Sequence, residues 1–182
     1  MIFYEGEVFT KDECVEILQN AIDFESSGLD MSVNNRDYTK VYLPNKRKST
    51  QCEKVTTKGE FIYEKINQIL KKFDYEISEN ELTYDVIKYQ EGDFIWKHKD
   101  DRNNRLFSFV IQLDNDEDYT GGDFVYWINE NELFMTRKQG FGMIFKAGVY
   151  HEVKPVVSGT RHSFVSFLRT DQIKKLSKAP LI

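Results

Sequence analysis

Hydrophobic residues in the first part of the chain follow helical spacing twice, after one short extended run. Residues 2–9 form the extended run, and a Thr-x-x-Glu capping box at Thr10 predicts a helix over residues 11–26. A second capping box at Thr57 opens another amphipathic segment. Two helices with one apolar face each must cover another layer. The faces comprise Cys14, Val15, Leu18, Ala21 and Ile22 in the first helix, and Ile62, Ile66, Ile69, Leu70 and Phe73 in the second.

The segment between the two helices is polar. Residues 27–56 are rich in Lys, Arg, Asn, Ser and Thr and contain Pro44, with one extended piece at 38–43. Loops of this length are uncommon in compact domains unless they are functional or disordered. The pattern therefore predicts a long mobile segment, which we treat as a candidate lid.

From Leu82 onward the pattern changes to short runs typical of β-strands, separated by turn signals such as Gly121-Gly122. In residues 105–113, alternate positions are apolar on one face and mixed, with Ser108 and Gln112, on the other. We expect a mainly β, α+β fold, a sandwich or barrel whose apolar outer face lies under the helices. The predicted strands are 82–90, 94–99, 105–113, 123–128, 132–136, 141–147, 149–157 and 161–169.

Length and charge narrow the classes of function. With 182 residues, the chain is expected to form a single domain, residues 1–81 providing helical support and the candidate lid and residues 82–170 the strand-rich core. The net charge of −5 disfavours nucleic acid or an anionic membrane as partner. No targeting or membrane-spanning pattern occurs, so we expect a soluble, cytoplasmic protein, with Cys14 and Cys52 as reduced structural thiols.

Two of the three histidines suggest a metal site. His98 and Asp100 are separated by one residue at the end of a predicted strand, which places both side chains on one face. His151 begins a later strand. Two imidazoles and one carboxylate supply a facial ligand set that leaves half of an octahedral Fe(II) shell open.

A basic residue accompanies this set ten positions after His151. Arg161 and Ser163 alternate on the final strand and project together, and a guanidinium beside a hydroxyl suits a buried carboxylate. His162, between them, points to the other face, which favours a structural role.

Together these motifs resemble a known family. The region from residue 83 to 169 resembles the double-stranded β-helix core of the 2-oxoglutarate and Fe(II)-dependent oxygenases, in the prolyl 4-hydroxylase branch. The resemblance implies a jelly-roll core with the N-terminal helices packed on one sheet. The matching motifs are Tyr89, His98-Lys99-Asp100, Arg105-Leu106-Phe107-Ser108, Gly121-Gly122-Asp123, His151, Arg161 and, upstream, Arg47-Lys48-Ser49.

The resemblance also implies roles for individual residues. His98, Asp100 and His151 would bind Fe(II), and Arg161 would bind the distal carboxylate of the 2-oxoglutarate cosubstrate. The residues expected to assist Arg161 are Ser163, Ser108 and Tyr89. Gln112 stands where a tyrosine is common in this branch, which leaves its role open. Oxygen would be the oxidant, with ascorbate as an optional reductant.

The implied activity is hydroxylation of a C–H bond coupled to decarboxylation of 2-oxoglutarate to succinate. Retention of Asp100 favours hydroxylation over halogenation, because related halogenases lack this carboxylate. A protein or peptide prolyl residue is the leading substrate, with residues 27–56 closing over it and Arg47 and Ser49 beside it. A free amino acid or other small metabolite is the alternative, and a non-catalytic β-barrel binding module is a third reading. The sequence leaves the oligomeric state open.

Overall fold

The computed structural model of the protein describes residues 1–22, 24–26, 29–33, 37–41, 47–52, 60–78 and 82–176. Two helices and a series of short strands occupy these ranges, and most of the strands lie in the C-terminal half. The helices are α1 (Lys11–Asn20) and α2 (Glu60–Lys71). The strands are β1 (Ile2–Glu7), β2 (Glu25–Ser26), β3 (Leu29–Val33), β4 (Asp37–Val41), β5 (Arg47–Lys48), β6 (Thr50–Cys52), β7 (Tyr75–Ile77), β8 (Tyr84–Tyr89), β9 (Phe94–His98), β10 (Arg105–Gln112), β11 (Tyr119–Gly121), β12 (Phe124–Ile128), β13 (Asn131–Phe134), β14 (Phe141–Lys146), β15 (His151–Val153), β16 (Val156–Gly159), β17 (Arg161–Arg169) and β18 (Ile173–Lys175).

Two antiparallel sheets build the core. The larger has the order β1-β14-β10-β17-β8-β6-β2, and the smaller has the order β13-β12-β15-β9-β5. Neighbours in both sheets are mostly distant in sequence, which is the pattern of a jelly roll rather than a meander. The expected α+β, mainly β fold with a jelly-roll core is confirmed.

Apolar side chains pack in two layers, one on each face of the larger sheet. The outer layer joins Ile62 and Ile66 of α2 and Ile17 of α1 to Phe107 and Phe109 of β10. The inner layer lies between the two sheets and includes Val110 and Phe145 from the larger sheet and Phe124 from the smaller. The expectation that the helices cover one sheet is therefore confirmed, and the mixed face of β10 looks into the barrel.

The first helix differs from its prediction in length and in its buried face. The capping box of Thr10 and Glu13 is present, but α1 ends at Asn20, six residues before the predicted end. Val15 and Ile22 are 45% and 57% exposed, whereas Ile17 is buried. Cys14 is buried and free, as expected of a structural thiol, and burial raises the pKa of this thiol to about 12.

The second helix follows its prediction. Ile62, Ile66, Ile69 and Leu70 are buried, and Phe73 is partly buried against the same layer. The capping box predicted at Thr57 lies outside the described residues, as does the side chain of Cys52.

The predicted long mobile segment contains regular structure where it is described. β3 and β4 pair as a hairpin, β6 joins the larger sheet beside β8, and β5 joins the smaller sheet beside β9. The extended piece predicted at 38–43 corresponds to β4. These parts therefore form strands rather than the long loop that the sequence predicts, because their backbone groups pair in ladders. Residues 27–28, 34–36, 42–46 and 53–56 of the segment lie outside the described ranges.

Most predicted strands occur within two or three residues of their expected bounds. The exception is 149–157, which is two strands, β15 and β16, interrupted at Lys154 and Pro155. Proline has no N–H for a ladder, so a break there is natural. β11, β7 and β18 were not predicted. Within the described ranges, no helix is long and apolar enough to cross a membrane.

Candidate metal centre and anion pocket

The end of β9 and the start of β15 bring His98, Asp100 and His151 together. His98 is the last residue of β9, His151 is the first of β15, and the two residues lie opposite each other in the ladder. Asp100 follows β9 and is fixed by its backbone N–H, which donates to the Ala147 carbonyl at 2.8 Å. One ligand atom from each of the three side chains lies within 4.8 Å of the others.

Backbone contacts fix the tautomer of both imidazoles. His98 Nδ1 lies 2.7 Å from the Trp96 carbonyl oxygen, and His151 Nδ1 lies 3.0 Å from that of Val149. A carbonyl oxygen can only accept, so Nδ1 of each neutral ring must carry the proton. The lone pair is then on Nε2, the atom that faces Asp100 in both residues.

The Asp100 carboxylate completes the set. Its Oδ1 is 3.6 Å from Nε2 of His98, and its Oδ2 is 3.3 Å from Nε2 of His151. The Ser108 hydroxyl donates to Oδ2 at 2.7 Å. Burial alone would raise the pKa of Asp100, but the two imidazoles and the Ser108 hydrogen bond hold it below its ordinary value. The carboxylate is therefore ionised and ready to bind a cation.

The His98 imidazole is likewise in the form that can bind a metal. Burial, together with the nearby His151 ring, lowers the pKa of His98 to about 4. Phe124 stacks on the His151 ring at a centroid distance of 5.4 Å, and Phe145 meets that ring edge-on at 5.0 Å. The sequence had not singled out these two aromatic residues, although their alternation along β12 and β14 places them on the inner face. They restrict the ring and exclude water from one side of the site.

A second group of polar side chains lies on the same inner face of β10 and β17. Arg161 is fully buried, and its Nε, Nη1 and Nη2 atoms have no hydrogen-bond partner within the described ranges. Gln112 and Ser163 lie opposite each other in the ladder, and their side-chain polar atoms are also buried without partners. An unpaired buried guanidinium costs several kcal/mol, so this group of residues is built to receive an anion.

Tyr89 forms one wall beside this arginine. The two residues are opposite each other in the β8–β17 ladder, and the guanidinium carbon is 5.2 Å from the centre of the phenol ring. Burial raises the pKa of Tyr89, although the charges of Arg47 and Arg161 oppose this. The phenol therefore stays protonated.

Ser108 has another contact than the sequence suggested, whereas His162 lies on the face that the sequence predicted. Ser108, expected beside the cosubstrate, donates instead to Asp100. The His162 ring lies 3.1 Å from the Asp114 carboxylate on the opposite side of its strand, and its backbone N–H donates to the same group. This location agrees with the structural role expected of His162.

Comparisons with known proteins agree with this geometry. Residues 84–169 match the family model described as 2OG-Fe(II) oxygenase superfamily. No curated protein matches the chain.

Three solved structures share the fold. A prolyl hydroxylase from Trichoplax adhaerens, in complex with a hypoxia inducible factor oxygen degradation domain peptide fragment, has a TM-score of 0.70 at 18% identity, covering 93% of this chain and 84% of its own. The viral collagen prolyl hydroxylase of Paramecium Bursaria Chlorella virus-1, in a 2OG complex, has a TM-score of 0.60 at 17% identity, with 95% and 96% coverage. A Pseudomonas putida prolyl-4-hydroxylase has a TM-score of 0.59 at 17% identity, with 91% of each chain covered.

Proposed function

We propose, from the match of residues 84–169 to the family model described as 2OG-Fe(II) oxygenase superfamily, that the chain hydroxylates prolyl residues of a protein or peptide. In this proposal it is a dioxygenase that uses Fe(II) and 2-oxoglutarate, which the family match and the His98, Asp100 and His151 set support. The observation that carries the proposal is the His98, Asp100 and His151 set at the strand ends of the smaller sheet, together with the unpartnered guanidinium of Arg161 on the larger sheet. The fold shared with three prolyl hydroxylases, one of them holding a peptide, supports the prolyl substrate.

In this proposal His98, Asp100 and His151 hold the Fe(II). Both imidazoles present Nε2 lone pairs toward a buried, ionised carboxylate, which is a donor set that suits Fe(II). Three protein ligands leave positions open for cosubstrate and oxygen. Bound Fe(II) and 2-oxoglutarate supply the oxidation of the C–H bond, and the residues of this chain supply binding and orientation.

Arg161 binds the distal carboxylate of 2-oxoglutarate. The guanidinium supplies the charge, and the hydroxyl of Ser163 and the amide of Gln112 supply neutral hydrogen bonds to the same group. Tyr89 lines the pocket and orients the arginine. A carboxylate here would satisfy polar atoms that otherwise stay buried and unpaired.

The substrate side is formed by β5. Arg47 is buried, its Nε donates to the Ser49 hydroxyl at 3.0 Å, and its backbone pairs with β9 opposite Ile95. Burial raises the pKa of Tyr89 and lowers that of His98; the charge of Arg47 opposes the first shift and adds to the second, so the guanidinium lies near both residues. We place Arg47 and Ser49 beside the peptide, with the described strands of the segment 27–56 as the cover. We also propose that the chain acts as one domain, since helices and core strands share one apolar layer.

The test is succinate formation from 2-oxoglutarate by the purified protein with Fe(II) and ascorbate. A proline-rich peptide should stimulate it and gain one oxygen atom in its mass spectrum, whereas the same peptide with Ala at each Pro should do neither. Stimulation by free proline alone would favour the small-metabolite alternative. Absence of succinate in every arm would leave the binding-module reading.

A variant tests the cosubstrate contact separately. Losing one partner of a buried charge pair costs about 2–5 kcal/mol, roughly 30-fold to a few thousand-fold in affinity. Arg161→Ala should raise the apparent 2-oxoglutarate constant by that order and leave Fe(II) affinity largely intact. Arg169→Ala, at the exposed end of the same strand, is the matched control and should change neither. An unchanged constant in Arg161→Ala would remove this residue from the pocket.

A further inference from the structure

One buried polar group near the anion pocket is not explained by the proposed function. The hydroxyl of Tyr119 has no hydrogen-bond partner within the described ranges, and the residue is only 2% exposed. An orphaned buried hydroxyl is costly and therefore uncommon in native proteins. The other unpartnered groups of this pocket, in Arg161, Ser163 and Gln112, are accounted for by an anionic ligand.

Tyr119 lies close to the same arginine. It begins β11, three residues before Gly122, where the missing side chain leaves room for two neighbours. A Cβ built on Gly122 would be 3.0 Å from Cδ of Arg161 and 3.5 Å from Cε2 of Tyr119. The edge of the phenol and the stem of the arginine therefore border one gap, and a larger residue at Gly122 would push both away.

The phenol ring is held in place by its surroundings. The Tyr119 carbonyl accepts a hydrogen bond from Nη2 of Arg137 at 2.6 Å, and the guanidinium carbon of Arg137 is 4.4 Å from the ring centre. The backbone of Tyr119 pairs with Gly159 in β16. With its ring against Arg137 and its backbone paired in β16, Tyr119 presents its hydroxyl in one direction, so little conformational entropy is lost on binding.

We propose that the Tyr119 hydroxyl is a further donor to the distal carboxylate of 2-oxoglutarate, beside Arg161. This inference rests on the proposed function and adds to it a residue from the smaller β11–β16 ladder, outside the two main sheets. A phenol donates one hydrogen bond without a second positive charge, which complements the guanidinium. No sequence pattern pointed to this role, because position 119 precedes a turn and carries no motif.

The test compares Tyr119→Phe with Tyr126→Phe. Tyr126 is also buried, but its hydroxyl already donates to Glu5 at 3.2 Å, so it is the matched control. Binding of 2-oxoglutarate to the Fe(II)-loaded protein is measured by calorimetry without oxygen. Loss of a hydrogen bond to a charged group should weaken binding about 10-fold or more in Tyr119→Phe. Tyr126→Phe should bind 2-oxoglutarate as the wild type does.

Two further measurements separate a ligand contact from a structural effect. 2-Oxopentanoate has a methyl group in place of the distal carboxylate, so Tyr119→Phe should bind it as the wild type does. Without 2-oxoglutarate, Tyr119→Phe should melt at the same or a higher temperature than the wild type, because it removes an orphaned hydroxyl. Equal 2-oxoglutarate affinity in Tyr119→Phe and wild type, with Arg161→Ala still impaired, would overturn this inference alone. A wild type that does not bind 2-oxoglutarate would overturn the proposed function.

Discussion

Replacement of Ser108 by alanine should weaken Fe(II) binding, because this hydroxyl holds the Asp100 carboxylate. The Ser108 Oγ to Asp100 Oδ2 distance is 2.7 Å, shorter than the distances from Asp100 to the imidazoles of His98 and His151, 3.6 and 3.3 Å. Asp100 is 7% exposed, so little water is available to replace the lost donor. The carboxylate would then be free to rotate away from the ligand geometry.

The expected magnitude follows from the kind of hydrogen bond. A bond to a charged group contributes about 1.5–3 kcal/mol, which corresponds to roughly 10- to 150-fold in a dissociation constant. Partners of metal ligands typically contribute about 10- to 100-fold in metal affinity. Ser108→Ala should therefore raise the Fe(II) dissociation constant by one to two orders of magnitude, measured anaerobically by calorimetry. Ser108→Thr retains the hydroxyl and should restore most of the affinity.

Ser166 provides the matched control. It is equally buried on the neighbouring β17, but its hydroxyl donates to the Thr83 carbonyl at 2.7 Å, away from the site. Ser166→Ala should leave Fe(II) affinity unchanged. Equal Fe(II) affinities in Ser108→Ala, Ser166→Ala and wild type would refute the reasoning and leave the Asp100 backbone contact as what fixes the carboxylate. Weakened 2-oxoglutarate binding with intact Fe(II) binding would return Ser108 to the cosubstrate, as the sequence suggested.

Two predictions concern stability. Gly140 has φ +80°, and a Cβ there would lie 1.9 Å from the Phe9 carbonyl oxygen. Gly140→Ala should therefore lower the free energy of unfolding in urea by at least the roughly 1–3 kcal/mol of a strained backbone. Gly148→Ala, where a Cβ would have nothing within 4 Å, should lower it far less. Equal losses of unfolding free energy in the two variants would show that the backbone around Gly140 moves to accommodate the Cβ. The folded pKa of His98, about 4, lies below the roughly 6.5 of an unfolded histidine, so the unfolded chain binds more protons between these values. The free energy of unfolding of the metal-free protein should fall as the pH falls from about 6.5 to 4, and that of His98→Asn should fall less. An identical pH dependence in the variant and the wild type would contradict the lowered pKa of His98.

The alternation of inward and outward side chains along the strands was the feature best predicted from the sequence. It placed Ser108 and Gln112 on the inner face of β10 and Arg161 and Ser163 on the inner face of β17, and the ladder registers agree. Period-two alternation survives pairing with any neighbour, so it can be read without knowing the topology.

Features that depend on partners could not be read in this way. Position alone did not show that Ser108 would donate to Asp100, because that contact depends on how the chain turns between β9 and β10. The buried face of α1 was assigned wrongly at Val15, where Ile17 is the buried residue, and at Ile22, which lies beyond the end of the helix at Asn20. β11 has three residues, two of them polar or glycine, too few to show a period.

The outer apolar layer stabilises the larger sheet, and the inner layer surrounds the polar groups of the site. The outer layer, under the helices, is filled with side chains such as Phe107 and Ile66 and carries no catalytic group. The inner layer must hold the polar groups of the site, including the fully buried guanidinium of Arg161, which costs free energy until an anion binds. The free-energy cost of the buried guanidinium is confined to the inner face of the larger sheet. Hydrophobic burial on the outer face can therefore offset that cost. The helices therefore support the site from the outer face, by stabilising the sheet from which β10 and β17 present their inner residues.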